Sequence, residues 1–249
     1  MARRRFLVER IRDNAAELRG EDAHHLARVL RAEPGQQYEV SDGAGVYLAE
    51  VAAIEKECVT FRVVGALDAP AAPVRLTLAA ALVKFDRFEW LVEKATELGV
   101  AAIVPVNAVR SGKGLMEAAA KRAERWRRIA RESSQQARRL CPPEIGEPRA
   151  LALAIAAGTG LRYFLDEQPG APPLAAVIPP PAQRHGSDSI ALLTGPEGGW
   201  TDAERAAAAA AGWAPASLGP LILRAETAAI AAAAILTHAW CASQLECKA

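Results

Sequence analysis

The sequence has few of the features that build metal centres, disulfide frameworks or membrane anchors. Its four cysteines form no C-x-x-C pair and no His-rich cluster accompanies them, so we expect reduced thiols and no metal site. The most apolar segment, residues 225–240, still contains Glu226 and His238, which argues against a membrane span. The amino-terminal residues contain no apolar stretch long enough for a signal peptide, so we expect a cytoplasmic protein that binds no membrane.

Net charge is also nearly absent, at +1, but the charges are unevenly distributed. Residues 71–150 hold 15 basic and 9 acidic residues, whereas residues 151–249 hold 5 basic and 8 acidic ones. A local excess of positive charge decides polyanion binding more than the total does. The middle of the chain is therefore the first place to look for a nucleic-acid surface.

Residues 1–70 have the pattern of a small β-rich module. Apolar and polar residues alternate on both sides of Asp42, Gly43 and Gly45, which predicts a hairpin. A further alternating strand covers residues 58–67, and one short helix begins near Asp22. The segment "LDAPAAP" is rich in Pro and Ala and nearly uncharged. We place a domain boundary there, which gives domains 1–70 and 71–249.

Strand and helix patterns alternate through residues 71–249, which predicts an α/β domain with a mainly parallel sheet. Two helices have clear end signals: one stops at Gly99, and another begins with a capping box formed by Thr201 and Glu204. We expect one long helix from about Glu117 to Leu140 and a last helix from about Ala225. The Pro-rich stretch 169–189 is predicted to be an irregular surface loop.

The segment "LLTGPEGGWTDAE", residues 192–204, joins a predicted strand to a predicted helix through a Gly-rich loop. It has neither the dinucleotide glycine pattern nor the lysine of a phosphate loop, which argues against a nucleotide phosphotransferase. Glycines let backbone groups approach a flat ligand closely, and Glu197 suits a cation better than a phosphate. The alternative is an ordinary tight turn, in which Gly and Pro are expected in any case.

A second segment, "LGPLILRAETAAIAAAAIL", repeats this arrangement at residues 218–236. Glu226 and Thr227, at the head of the last helix, suit the helix dipole and capping. Arg224 does not, because a cation at a helix amino terminus opposes the dipole. It is either a functional cation or the partner of Glu226 or Glu197 in a structural salt bridge.

These two segments resemble the signature loops of SPOUT methyltransferases. Within that superfamily the chain is similar to the RsmE-type enzymes, which methylate N3 of a uridine in 16S ribosomal RNA. The stretches "HHLARVLRAEPGQQYEVSDGAG", "EKATELGVAAIVPV" and "RWRRIARESSQQARR" carry the same resemblance. It implies a trefoil-knotted α/β methyltransferase domain with a mainly parallel sheet, preceded by a small PUA-like β-barrel.

The resemblance implies that the two loops bind S-adenosylmethionine and that Arg224, with Glu197 or Glu226, acts in catalysis. Arg224 would stabilise charge on the uridine, and the choice of general base between the two carboxylates stays open. The alternatives are another RNA position, such as a ribose 2′-hydroxyl or a tRNA base, and a non-catalytic RNA-binding protein. The implied cofactor contacts are Thr194, Gly195, Glu197, Gly198, Gly199, Leu218, Gly219, Leu221, Ile222, Leu223 and Thr227.

The implied partners are 16S ribosomal RNA in the small ribosomal subunit and a second copy of the chain. Basic residues concentrate on the amino-terminal module and on the long helix of the second domain, where most of the arginines have no acid four residues away. An ordinary solvated helix face is the alternative. The candidate RNA contacts are Arg3, Arg4, Arg5, His25, Arg28, Arg31, Lys84, Arg87, Arg125, Arg128, Arg138 and Arg139.

Overall fold

The computed structural model describes residues 4–69 and 72–246, with the side chains of the last helix up to Ser243. The chain divides into two compact units, Met1–Ala71 with Arg131–Pro142 and Ala72–Ala130 with Pro143–Ala249. The domain limits 1–70 and 71–249 stay a prediction, and they differ from this division in the placement of residues 131–142. Arg3, one of the candidate RNA contacts, lies outside the described residues.

The first unit is built on a six-stranded sheet with the order β1-β4-β5-β6-β3-β2. Only β1 and β4 pair in parallel, and the other neighbours are antiparallel. The predicted hairpin is confirmed, because Ser41 pairs with Val46 across the turn. The helix predicted near Asp22 is also present, and it continues into one π-helical turn, His25–Val29. The elements are β1 (Arg5–Leu7), β2 (Ile11–Arg12), β3 (Ala15–Arg19), α1 (Gly20–His24), β4 (Gln37–Ser41), β5 (Val46–Ile54) and β6 (Cys58–Leu67).

Residues 131–142 are held in the first unit by polar contacts. Arg131 Nε and Gln135 Nε2 both donate to the carboxylate of Asp22, at 2.8 and 2.9 Å. Ser41 Oγ donates to the carbonyl of Leu140 at 2.7 Å. Arg131 and Gln135 therefore bond within the first unit, whereas a solvated basic helix face would leave their side chains free.

The second unit contains a fully parallel sheet with the order β10-β8-β7-β12-β11-β13, and β9 pairs with β8 beside it. The predicted α/β class with a mainly parallel sheet is therefore confirmed. The strands are β7 (Arg75–Ala81), β8 (Ala102–Asn107), β9 (Glu144–Ile145), β10 (Arg149–Ala150), β11 (Leu161–Leu165), β12 (Ser189–Thr194) and β13 (Ala214–Ala216). The helices are α2 (Phe85–Glu97), α3 (Leu115–Ala120), α4 (Ala123–Gln136), α5 (Leu151–Ala157), α6 (Leu174–Val177), α7 (Asp202–Ala210) and α8 (Ala225–Glu246).

Two predictions about these helices are wrong. The single helix expected from Glu117 to Leu140 is broken into α3 and α4, and α4 ends at Gln136. At the break the Arg122 guanidinium stacks over the Phe85 ring, a tertiary contact that helical periodicity does not encode. The Pro-rich stretch is not wholly irregular either, because Leu174 is buried at the start of the short helix α6.

Helix α8 spans 22 residues, most of them apolar. One face of it is buried in the core of the second unit, including Ala229, Ala233, Leu236 and Trp240. By length and composition, Ala225–Ser243 is the one described helix that could cross a membrane. This length and composition are weak evidence for a membrane span, because the core helix of a soluble protein passes the same test. The opposite face, which includes Ile235 and His238, is exposed.

Candidate functional site

The carboxyl ends of three neighbouring strands surround a cavity of about 880 Å³ in the second unit. Strands β12, β11 and β13 are neighbours in the sheet, and the loops that follow them line the cavity. Strand ends in parallel sheets are the usual position of ligand sites, and this volume suits a small organic ligand. The sheet order brings together loops that are up to fifty residues apart in sequence.

Nearly all of the predicted cofactor contacts line this cavity. The exceptions are Thr194, whose side chain is buried at the end of β12, and Thr227, which is exposed on α8. Leu221 and Ile222 are 77% and 81% exposed, an unusual position for large apolar side chains unless something covers them. The predicted residues at the cavity wall are Gly195, Glu197, Gly198, Gly199, Leu218, Gly219, Leu221, Ile222, Leu223 and Arg224.

Gly199 shows why this loop is poor in side chains. Its φ of +67° lies in the left-handed region that favours glycine, and a Cβ there would lie 2.4 Å from Glu167 Oε1. Gly195 is also close-packed, because a Cβ would lie 3.0 Å from the indole of Trp200. The Trp200 Nε1 donates to the carbonyl of Leu165 at 2.8 Å, which fixes the ring under the loop.

Arg87 joins the two candidate acidic residues. Its Nη1 pairs with Glu197 Oε1, and its Nε lies 3.9 Å from Glu226 Oε1. The Glu226 side chain is only 7% exposed, and its Oε2 has no hydrogen-bond partner among the described residues. Sequence reasoning placed Arg87 with the RNA contacts and missed this pairing. The nearest available signal was its position at the first turn of a helix that follows a core strand.

Arg224 is exposed at the cavity wall. In the described part of the chain it forms no salt bridge, so the alternative in which it pairs structurally with Glu226 or Glu197 is wrong. Arg87 takes that position instead. Among the residues that line the cavity, Arg224 is thus a cation without an acidic partner in the described chain, whereas Arg87 is paired with Glu197.

The loop after β11 is the part of the site that sequence reasoning missed. Residues 165–171 line the cavity, with Asp166 and Glu167 at the strand end. Arg205, on α7, holds both carboxylates, at 3.0 Å from Asp166 and 2.7 Å from Glu167. A signal was present in the sequence, since "RYFLD" reads as a strand that ends in an acid. Its position beside β12 depends on sheet order, which periodicity does not give.

The candidate RNA contacts differ in how much surface they offer. Arg4, Arg28, Arg31 and Lys84 are exposed, and the Arg4 Nη1 lies 2.8 Å from His25 Nε2. Arg5 is only 4% exposed and is bonded to Glu39, so it offers no surface to a phosphate.

The other candidates are engaged within the protein. Arg125 pairs with Glu89, and Arg138 pairs with Glu39. Burial lowers the pKa of Arg139. Arg127, on the same helix as Arg125, pairs with Glu124 and Glu147. Arg125 and Arg127 thus find acids outside α4, in Glu89 and Glu147, although no acid lies four residues away on the helix.

Comparison with known proteins assigns the family. The RNA methyltransferase domain model matches residues 70–237, and the RNA methyltransferase PUA domain model matches residues 18–64. The chain belongs to the RNA methyltransferase family. These matches confirm the predicted fold class and the predicted family relationship.

Named relatives agree with this assignment. Ribosomal RNA small subunit methyltransferase E of Synechocystis sp. is 34% identical, over 82% of this chain and 67% of that protein. The protein of that name from Mycobacterium bovis is 31% identical, over 98% of this chain and 95% of its own. The crystal structure of a ribosomal RNA small subunit methyltransferase E from Neisseria gonorrhoeae, bound to S-adenosyl methionine, superposes with a TM-score of 0.85 at 29% identity, covering 96% and 98% of the two chains.

Proposed function

We propose that this methyltransferase transfers a methyl group from S-adenosylmethionine to N3 of a uridine in the 16S ribosomal RNA of the small subunit. The observation that carries the proposal is Arg224, a cation at the cavity wall with no acidic partner among the described residues. Relatives that cover nearly the whole chain are named for ribosomal RNA of the small subunit and support this substrate class.

The residues of the cavity fit S-adenosylmethionine. A Cβ at Gly199 would collide with the Glu167 carboxylate at the cavity wall, so only a residue without a side chain fits there and the loop presents its backbone to a flat ring. The exposed Leu221 and Ile222 supply an apolar cover for an adenine. Glu197 and Glu167 supply carboxylates near a ligand that carries a positive sulfonium and an ammonium group. Bound here, the cofactor would supply an electrophilic methyl group.

The acceptor must be activated by the protein. Uridine N3 carries a proton, and its loss spreads negative charge onto O2 and O4. We expect Arg224, at the cavity wall, to stabilise that charge, a contribution of the kind that fixed donors make in oxyanion holes. We assign the proton to Glu226, because its Oε2 is buried and has no hydrogen-bond partner among the described residues, whereas Glu197 is half-exposed and lies closer to Arg87 than Glu226 does.

RNA would approach through exposed basic side chains. Arg28 and Arg31 on the first unit and Lys84 on the second are the best candidates, because each is exposed and none forms a salt bridge within the described chain. We retain Arg4 and His25 beside them and leave out Arg5, which is buried. Binding carried by such contacts weakens steeply as salt rises.

A homodimer in the cytoplasm is part of the proposal. The face of α8 that is not buried in the core carries mostly small or apolar side chains, including the half-buried Ala231 and Ala234 and the exposed Ile235, and this is the composition that close helix packing needs. Assembly on that face would remove it from water. Sedimentation of the purified protein tests this, with a monomer at micromolar concentration as the contradicting result.

The test of function uses purified protein, labelled S-adenosylmethionine and small ribosomal subunits that lack the modification. We expect label in N3-methyluridine after nuclease digestion and mass spectrometry, and none with Glu226→Gln. Label in a 2′-O-methyl nucleoside or in tRNA would instead support another acceptor. RNA binding without any methyl transfer would support a non-catalytic RNA-binding protein.

A further inference from the structure

A tight turn after β8 places an arginine against the Gly-rich loop that follows β12. Ser111 closes the turn, since its Oγ accepts from Ala108 N at 3.1 Å and its own N–H donates to Ala108 O at 3.0 Å. Val109, which follows Ala108 in the turn, donates its N–H to Glu204 Oε1 at 2.8 Å. The same Glu204 closes the capping box of α7. The turn is therefore anchored to the start of α7.

From this anchored turn the Arg110 side chain reaches the loop. Its Nη1 donates to the carbonyl of Gly198 at 2.8 Å and to that of Trp200 at 3.2 Å. Arg110 lies in the turn that follows β8, and β8 is separated from β12 in the sheet by β7. One side chain thus spans the distance between two strand-end loops that are not neighbours.

The two carbonyls belong to the part of the loop with the fewest side chains. The peptide between Gly198 and Gly199 is held at both ends, because its carbonyl accepts from Arg110 and its N–H donates to Pro196 O at 2.9 Å. Arg110 also packs closely, since a Cβ on Gly198 would lie 3.2 Å from the Arg110 Cβ. Arg110 itself does not line the cavity.

We propose that Arg110 is a positioning residue that holds the 195–200 loop in its ligand-binding conformation. The inference rests on the proposed function, since it assumes that this loop binds the cofactor. Glycine-rich segments lose the most conformational freedom on ordering, so a loop of this composition needs hydrogen bonds from outside the loop to hold its conformation. When only a fraction of molecules has the binding conformation, the apparent Kd rises by the inverse of that fraction.

The test compares Arg110→Ala and Arg110→Lys with the parent and with Arg75→Ala. Arg75 is exposed at the start of β7, away from the cavity, and its removal changes the net charge equally. Three quantities are measured: hydrogen–deuterium exchange of residues 196–201 in the protein without ligand, the Kd of S-adenosylhomocysteine by calorimetry, and KM and kcat for S-adenosylmethionine.

We expect Arg110→Ala to exchange faster in this segment alone and to bind S-adenosylhomocysteine about tenfold more weakly, the loss expected of a charge-assisted hydrogen bond. KM should rise with the Kd while kcat stays within about twofold of the parent. Arg110→Lys, which keeps a donor, should recover part of the affinity, and Arg75→Ala should match the parent.

Unchanged exchange and affinity in Arg110→Ala would overturn the proposal. So would faster exchange across the whole unit with an unchanged Kd, because that describes a merely structural arginine. A parent protein that does not bind S-adenosylhomocysteine would count against the proposed function instead. The exchange comparison in the free protein would then still decide whether Arg110 holds the loop.

Discussion

Gly199→Ala is the sharpest test of the idea that the loop backbone forms the ligand site. An alanine at φ +67° costs about 1 kcal/mol for its left-handed conformation. Its Cβ must also displace the Glu167 carboxylate, which lies 2.4 Å from the Cβ position and is paired with Arg205. Breaking a pair this exposed costs under about 1 kcal/mol. Together the two costs amount to about 1.5 to 2 kcal/mol, and both destabilise the same loop.

Part of that cost is relieved if the loop shifts, and a shifted loop no longer matches the ligand. We expect the Kd of S-adenosylhomocysteine to rise about tenfold, which is 1.4 kcal/mol. The melting temperature should fall by about 3 to 6 °C, given the size of the chain. Titration calorimetry measures the first quantity and scanning calorimetry of the ligand-free protein measures the second.

Gly99→Ala is the matched control. Gly99 has φ +86° after α2, in the same unit, and a Cβ there would meet nothing within 4 Å. It should lose about 1 kcal/mol of stability, from the left-handed conformation alone, and keep its affinity. An affinity loss of the same size in Gly99→Ala would show that binding follows global stability. Parent-like binding by Gly199→Ala would refute the backbone surface itself.

Three further predictions address catalysis, capping and pH. Arg224→Ala should lower kcat about a hundredfold or more while the Kd of S-adenosylhomocysteine changes less than about threefold; equal losses in both would make Arg224 a binding residue. Glu204→Ala should destabilise the protein by about 2 kcal/mol, because Thr201 and the Val109 N–H lose their acceptor, and an unchanged melting temperature would contradict this. Hydrogen bonds from the His185 N–H and then from Trp240 Nε1 lower the pKa of Asp188, so its carboxylate stabilises the fold above the usual carboxyl pKa and this stability is lost as the pH falls through the lowered value. Melting temperatures of the parent and Asp188→Asn should therefore differ at pH 7 and approach each other as the pH falls below the usual carboxyl value of 3.8, and a constant difference would show that Asp188 acts only through shape.

Local patterns predicted the elements with strong end signals. Thr201 and Glu204 form the capping box because its two hydrogen bonds connect residues three apart, so spacing alone specifies them. Gly99 ends its helix in the left-handed conformation for the same local reason. The break between α3 and α4 escaped prediction because no Gly or Pro marks it in the sequence; Arg122, at the break, packs over Phe85 of α2.

The sequence by itself determined that two Gly-rich bends follow core strands and carry one glutamate and one arginine. Both features are local, because glycine conformations and helix starts depend on near neighbours in the chain. Only the tertiary structure decided which charges meet: Arg87 pairs with Glu197 and Glu226, Arg224 has no acidic partner in the described chain, and Arg110 holds the loop from two strands away. Charge pairing across a sheet depends on strand order, and strand order depends on the packing of the whole core rather than on any one segment.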